Sequence, residues 1–403
     1  MQLHDRGGTR KLKTSNSLFS VEEVIHADDL ERYYDGWNVL AENTEKGTIF
    51  QTYEWLTTWL KYFWPNKPIA FHFIMNATHP VALVPLLDDK KGDLWCPNTL
   101  VAPVNPHAMR VGVLCGEKAQ PALTAFLDHV CGHHKRVRLA FKYNQKNQPG
   151  SQTLTQIAPQ HGLTFMSQKK RQAPVVRIET DWETYLGSRS RHFRRELRRK
   201  NNKIKKAGSL ECVVVSDPLK CAAAMADVLT IEQNSWKQDA GTSFTAEEGL
   251  AGFYGEFAMR AAEKNWLRLY LLYLDGQPLA HIYGVVFKNV YWAIKTSYDQ
   301  HFRHLSPGVV IFAKALEDSF DQKLTLFDFL GEPDRWKSEL ENDTVTNTDM
   351  CIFAANDLKC SWCKLYQAGL KPWLNQHVPG IKRMKERVAN TWVNAGKADG
   401  GKK

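Results

Sequence analysis

A chain of 403 residues, 43% of them hydrophobic, is longer than one compact domain needs and can bury two cores. Its net charge of +10 calls for an acidic partner: nucleic acid, an anionic membrane surface or a phosphorylated small molecule. No window has the long uncharged run of a membrane span, the polar, basic stretch over 1–16 has no apolar export segment, and eight scattered cysteines do not make a disulfide framework, so a reducing, cytoplasmic setting is indicated.

The first predicted element is a helix over 53–63. Over 70–95 the pattern reads strand, turn, strand, turn, strand: Phe71, Phe73 and Met75 alternate, 76–80 turn, 81–87 run back, and 88–93 turn again before Trp95. A helix over 119–134 then leads to a short apolar strand over 137–141. Its closing Cys131-Gly132-His133-His134 has no partner cluster and predicts no metal site. The segment 144–152, rich in Asn, Gln, Gly and Pro, reads as a linker.

Helical sequence resumes over 182–206 and 220–236. In the first of these, Leu186, Phe193, Leu197 and Ile204 share one face, surrounded by Arg189, Arg191, Arg194, Arg195, Arg198, Arg199, Lys200, Lys203, Lys205 and Lys206 and opposed only by Glu196. A second meander follows: Leu267, Leu269, Leu271 and Tyr273 alternate, Asp275-Gly276-Gln277-Pro278 turns, 279–287 returns, and Lys288-Asn289 leads into 290–294. A helix over 308–321 and a strand over 324–329 complete this half. Both meanders leave their first turn through Pro-x-Ala, as Pro80-Val81-Ala82 and Pro278-Leu279-Ala280, and both carry a Trp in the third strand, Trp95 and Trp292. The order of elements therefore reads as a duplication.

In the tail, Cys360-Ser361-Trp362-Cys363 is a lone CxxC without a second ligand pair, which reads as free thiols. Val378, Ile381, Met384, Val388 and Trp392 share a helical face flanked by Lys382, Arg383, Lys385 and Arg387. Such a helix suits either an anionic bilayer surface or packing against the protein's own body.

The order helix, three-strand meander, helix, strand resembles the GNAT acyltransferase fold. Phe50-Gln51-Thr52-Tyr53-Glu54-Trp55-Leu56, the Arg-rich helix from Arg189, Trp236-Lys237 with Gly241, Gly276 to Ala280, Tyr298-Asp299 with Leu305-Ser306-Pro307-Gly308, and Phe327-Asp328-Phe329 with Gly331 and Lys337 make the chain similar to FemAB-related, CelD-type acetyltransferases. The resemblance implies an α+β chain of two tandem GNAT-like folds, each a mostly antiparallel sheet flanked by helices. A degenerate domain would span 1–170, a catalytic one 171–350 and a basic helical tail 351–403. It also implies acyl-CoA, acetyl-CoA in the simplest case, as cosubstrate, no metal, and an amine or hydroxyl on a small-molecule or saccharide acceptor, in envelope or polysaccharide biosynthesis.

In such enzymes the CoA pyrophosphate sits on a glycine-rich loop that opens a helix, where backbone N–H groups are free. Arg303-His304-Leu305-Ser306-Pro307-Gly308 occupies that place, so Arg303, Ser306 and Gly308 are the cofactor-binding candidates, although Ser306 and Pro307 equally read as an ordinary helix start. By the same resemblance Tyr298 would protonate the departing thiolate. Asp328, a carboxylate in an apolar strand, is the first candidate for a base or amine-orienting group. Glu232 is the second and also reads as a solvated helix face; His281 is the third and also reads as a core histidine. Trp236, Lys237 and Lys337 would hold the acceptor. Two other functions stay open: an aminoacyl-tRNA-dependent transferase whose basic helix meets tRNA, though no sustained heptad supplies a coiled-coil insertion, and a binding module for anionic surfaces that has lost catalysis.

Overall fold

Strand alternation broken by two-residue turns builds a ladder in each half of the chain. The computed structural model describes residues 3–4, 9–12, 18–89, 99–116, 119–133, 137–239, 243–244 and 249–358. The first half runs β1 (Ser20–Val24), α1 (Tyr34–Asn43), α2 (Tyr53–Phe63), β2 (Ile69–Asn76), β3 (His79–Asp89), β4 (Thr99–Val101), α3 (Ala119–His133), β5 (Arg138–Gln145), α4 (Pro149–Ile157) and β6 (Leu163–Arg177). After α5 (Trp182–Ser188) and α6 (Arg191–Ala207), the second half runs β7 (Leu210–Val215), α7 (Cys221–Gln233), α8 (Trp236–Asp239), α9 (Leu250–Glu263), β8 (Leu269–Leu274), β9 (Gln277–Phe287), β10 (Val290–Tyr298), α10 (Pro307–Asp321), β11 (Leu326–Asp328), α11 (Arg335–Leu340) and β12 (Asp343–Ala354).

The two halves repeat one pairing scheme. Four antiparallel strands, β1 to β4 or β7 to β10, are followed by a strand that pairs in parallel with the fourth, β5 on β4 and β11 on β10. The shared Pro-x-Ala has a structural meaning. Ile74 pairs Ala82 while Met75 pairs Pro80, and Leu272 pairs Ala280 while Tyr273 pairs Pro278, so Val81 and Leu279 are extra residues in matching β-bulges. Asp275 (φ 50°) and Gly276 (φ 78°), then Lys288 (φ 54°) and Asn289 (φ 57°), supply the positive φ pairs that two-residue hairpins need.

What joins the halves is an exchange of their last strands. Short strands Leu3–His4 and Thr9–Leu12 extend the sheet beyond β1, and from there the order is β1-β2-β3-β4-β5-β12-β6-β11-β10-β9-β8-β7, so β6 of the first half lies beside β11 of the second, and β12 of the second lies beside β5 of the first. The two exchanged strands pair with each other from Asp343↔Val175 to Ala354↔Leu163. One apolar cluster also spans both halves: Trp55 of α2 meets Phe253 and Phe257 of α9 at ring-centroid distances of 5.2 and 4.6 Å, and Phe50 meets Trp292 at 5.9 Å.

Several expectations change. The segment over 144–152 is not a loose connection: it ends β5 and starts α4, and Asn144, Gln148 and Ser151 are buried, with the Ser151 hydroxyl 3.0 Å from Asn144 Oδ1 and 2.7 Å from Gln148 Oε1. Polar composition signalled a loop, but here it serves a buried hydrogen-bond network. The basic helix is broken after Ser188, because Ser190 caps a new helix by accepting the Phe193 N–H at 3.1 Å. Trp95, Cys360, Cys363 and the amphipathic tail lie outside the described residues. No helix among the described residues is long and apolar enough to cross a membrane.

Candidate functional site

Strands β10 and β11 stay together for only three residue pairs, Val290↔Leu326 to Trp292↔Asp328. Beyond them two features drive the chains apart. On β10, Ala293 pairs Gly284 and Lys295 pairs Tyr283, which leaves Ile294 as an extra, bulged residue. After β11, Leu330 and Gly331 take positive φ (52° and 68°) and turn the chain away. The gap is a cavity of about 500 Å³, bounded by residues 293–298 of β10, by Phe329, Leu330 and Gly331, by the first turn of α10, by Trp336 and Lys337 of α11, and by Pro106 and Met109 of the first half.

Seven of the ten residues singled out from the sequence line this cavity: Trp236, Lys237, Tyr298, Arg303, Ser306, Gly308 and Lys337. Ser306 is the residue before α10 and sits in the left-handed region (φ 56°, ψ 48°), and its side chain makes no capping hydrogen bond. It is therefore not the ordinary N-cap that its sequence also suggested, and the helix start faces the cavity. A Cβ on Gly308 would lie 3.4 Å from Tyr298 Cδ1, so the small residue lets the tyrosine ring lie against the helix start. Lys337 Nζ donates to the carbonyls of Leu330 (3.3 Å) and Glu332 (3.2 Å) and lies 3.3 Å from Asp334 Oδ2, which secures the turn that opens the gap.

Glu232 and His281 form the buried support of Lys237. Glu232 is not a solvated helix residue: it is fully buried, with Oε1 3.0 Å from His281 Nε2 and 3.7 Å from Lys237 Nζ, and Oε2 accepting the Phe244 N–H at 3.2 Å. Lys237 Nζ also donates to the Thr296 carbonyl on the free edge of β10. Burial lowers the Lys237 ammonium from its ordinary value and Lys337 adds to this, while Glu232 acts the other way. Burial also holds the His281 imidazole below its usual value against the pull of Glu232. For Glu232 burial pushes upward, yet the bond to His281 and the charges of Lys237 and Lys295 outweigh it and leave the carboxyl below its ordinary range.

Asp328 is placed differently from the sequence expectation. It does not line the cavity. Its carboxylate is fully buried and paired with the Arg110 guanidinium, with Arg110 Nη2 3.4 Å from Oδ1, and it accepts the Leu330 N–H at 2.9 Å. Arg110 comes from the first half and also donates to Asn347 Oδ1 of β12 at 3.0 Å. The apolar context that made Asp328 conspicuous is satisfied by a partner 218 residues away, which no local pattern reveals. Sequence reasoning also missed Lys295, Pro106 and Met109, which reach the cavity through a bulge and through packing of the halves. Outside the cavity, Lys203 of α6 donates to the His304 carbonyl at 2.8 Å, so the basic helix abuts the loop that carries Arg303.

Comparison with known proteins bears on the fold and on the second half of the chain. Among solved structures, the chain is similar to FemX, with TM-score 0.55 and 12% identity, over 83% of this chain and 98% of that one. It is also similar to the C-terminal DUF2156 domain of a protein described as a lysylphosphatidylglycerol synthetase from Agrobacterium fabrum, with TM-score 0.51 and 12% identity, over 85% and 96%. A conserved protein of unknown function from Bacteroides thetaiotaomicron gives TM-score 0.51 and 12% identity, over 79% and 96%. At this identity the likeness is one of fold. A search of curated proteins finds no match to the sequence. Residues 191–338 match the acetyltransferase (GNAT) domain family, and they contain α6, the second meander, the splayed strands and α10. The second half of the chain therefore carries a GNAT acetyltransferase domain, and the protein is an acyltransferase of that type.

Proposed function

We propose that the protein transfers an acyl group from acyl-CoA, acetyl-CoA in the simplest case, to an amine or hydroxyl of a small-molecule or saccharide acceptor, such as one used in building an envelope polysaccharide. The observation that carries this reading is the cavity in the splay between β10 and β11, with a helix start and Arg303 at one side of it. The pyrophosphate lies on the first turn of α10 beside Arg303, Ser306 and Gly308, where the helix end and a guanidinium both favour negative charge. The thioester enters the gap along the edge of β10 that β11 has left.

The acceptor nitrogen or oxygen attacks the thioester carbonyl carbon, the C–S bond breaks, and the Tyr298 hydroxyl gives its proton to the departing thiolate. The proton that the acceptor releases passes to water in the cavity, and Lys237, held in place by Glu232 and His281, flanks the acceptor together with Trp236 and Lys337. Asp328 acts through position only, by fixing the turn at Leu330. Calorimetry with acetyl-CoA tests the placement: Arg303→Glu weakens binding at least about tenfold, since loss of a charged contact is worth about 1.5–3 kcal/mol. Unchanged affinity in this variant, with wild-type binding intact, overturns it.

A second reading has its own observation. The tie from Lys203 to His304 makes the exposed basic face of α6 continuous with the loop beside the cavity, which suits a donor with many phosphates such as an aminoacyl-tRNA.

A further inference from the structure

Far from the cavity in sequence, the first half buries three side chains with metal-binding chemistry around one point. Glu23 of β1 and His72 of β2 are directly opposed in the strand register, and His129 reaches them from α3. Their relative exposures are 7%, 0% and 3%. One donor atom from each lies within 4.8 Å of the others: His72 Nε2 is 3.9 Å from Glu23 Oε1, and His129 Nε2 is 4.0 Å from Glu23 Oε2. These separations exceed a hydrogen bond. Two ligands each about 2.0–2.1 Å from zinc stand about 3.4 Å apart at the tetrahedral angle, so the two Glu23 contacts would each close by roughly half an ångström around an ion. His129 Nε2, buried and pointing at Glu23, has no hydrogen-bond partner among the described residues. Its ring is held in place: His133 stacks on it at 4.5 Å, and His133 Nδ1 lies 2.7 Å from the His129 carbonyl.

We propose that Glu23, His72 and His129 bind one zinc ion that ties β1 and β2 to α3. Two imidazoles and a carboxylate are a zinc donor set, with water completing the coordination. The ion clamps a helix to its sheet. None of the three residues lines the cavity, so the site stands apart from the acyl-transfer reading. No sequence spacing announces it, because the ligands come from three separate elements.

The test uses the full chain, freed of metal with a chelator and reloaded with zinc or cobalt(II) chloride. The expected result is one metal per chain by elemental analysis, a rise in melting temperature with zinc, and cobalt d–d bands without a thiolate charge-transfer band. His129→Gln and Glu23→Gln, which keep the approximate size of each side chain, weaken zinc binding by more than about 100-fold, since losing even an outer partner of a metal site costs about 10–100-fold. Circular dichroism of both variants checks that the fold persists. Substoichiometric zinc, a thiolate band with cobalt, a melting temperature that zinc does not move, or full zinc occupancy in folded His129→Gln each overturn the proposal.

Discussion

The Arg110–Asp328 pair shows how a single residue can be read two ways. A carboxylate in an apolar strand is costly unless something answers its charge, and here the answer is a guanidinium from the other half of the chain. Asp328→Asn leaves Arg110 buried without its counter-charge and destabilises the protein by about 3–5 kcal/mol, read as a lower denaturant midpoint. An unchanged midpoint with lost turnover would instead give Asp328 a role in the chemistry. The Glu232–His281 pair makes a second prediction, in pH. Burial favours neutral His281, and its neighbours keep Glu232 ionised, so both folded groups release protons more readily than in the unfolded chain. Their stabilising contribution is full above the ordinary histidine value of 6.5 and falls as pH drops through it and then through the carboxylate range. The slope of melting temperature against pH between 7 and 4 should flatten in the double variant Glu232→Gln, His281→Gln; an unchanged slope counts against this assignment.

At the scale of an element, α6 separates packing from charge. Phe193, Leu197 and Ile204 are buried against the second half, whereas Arg191, Arg195, Arg198, Lys205 and Lys206 are exposed, so the helix is anchored on one face and strongly positive on the other. The charges are dispensable for folding. Arg195→Glu with Arg198→Glu should change stability by no more than about 0.5 kcal/mol, as expected of surface positions. If the donor or acceptor is a polyanion, the same variant loses salt-sensitive binding to tRNA, measured by filter binding over a salt series. Equal tRNA binding by wild type and variant would leave the helix as a solubilising surface and favour acyl-CoA as the sole donor.

The whole molecule is held by the exchanged strands. β12 is paired on both sides, with Cys351 opposite Ala140 of β5 and Met166 of β6, so a break there reaches both halves. Cys351→Pro removes a ladder donor from a central strand. Hydrogen exchange should then show the β2–β3 and β8–β9 hairpins losing protection together. Loss confined to one hairpin would mean that the halves fold as separate units despite the shared sheet.

Much of the fold was legible because it rests on local rules. The alternation of Phe71, Phe73 and Met75, the Asp275-Gly276 turn and the stripe of Val309, Phe312, Ala313, Leu316 and Phe320 each follow from the geometry of a single element, and they place the second meander, the first two strands of the first and α10 within a few residues. The same local pattern put Ser306 and Gly308 at the start of α10, where with Arg303 they line the cavity. Three things were decided only in the tertiary structure: the exchange of β6 and β12, the ion pair that claims Asp328, and the meeting of Glu23, His72 and His129. Each depends on which distant residue arrives opposite a given side chain. Periodicity tells a residue which face it occupies, but the partner across that face is chosen by the packing of elements far apart in the chain.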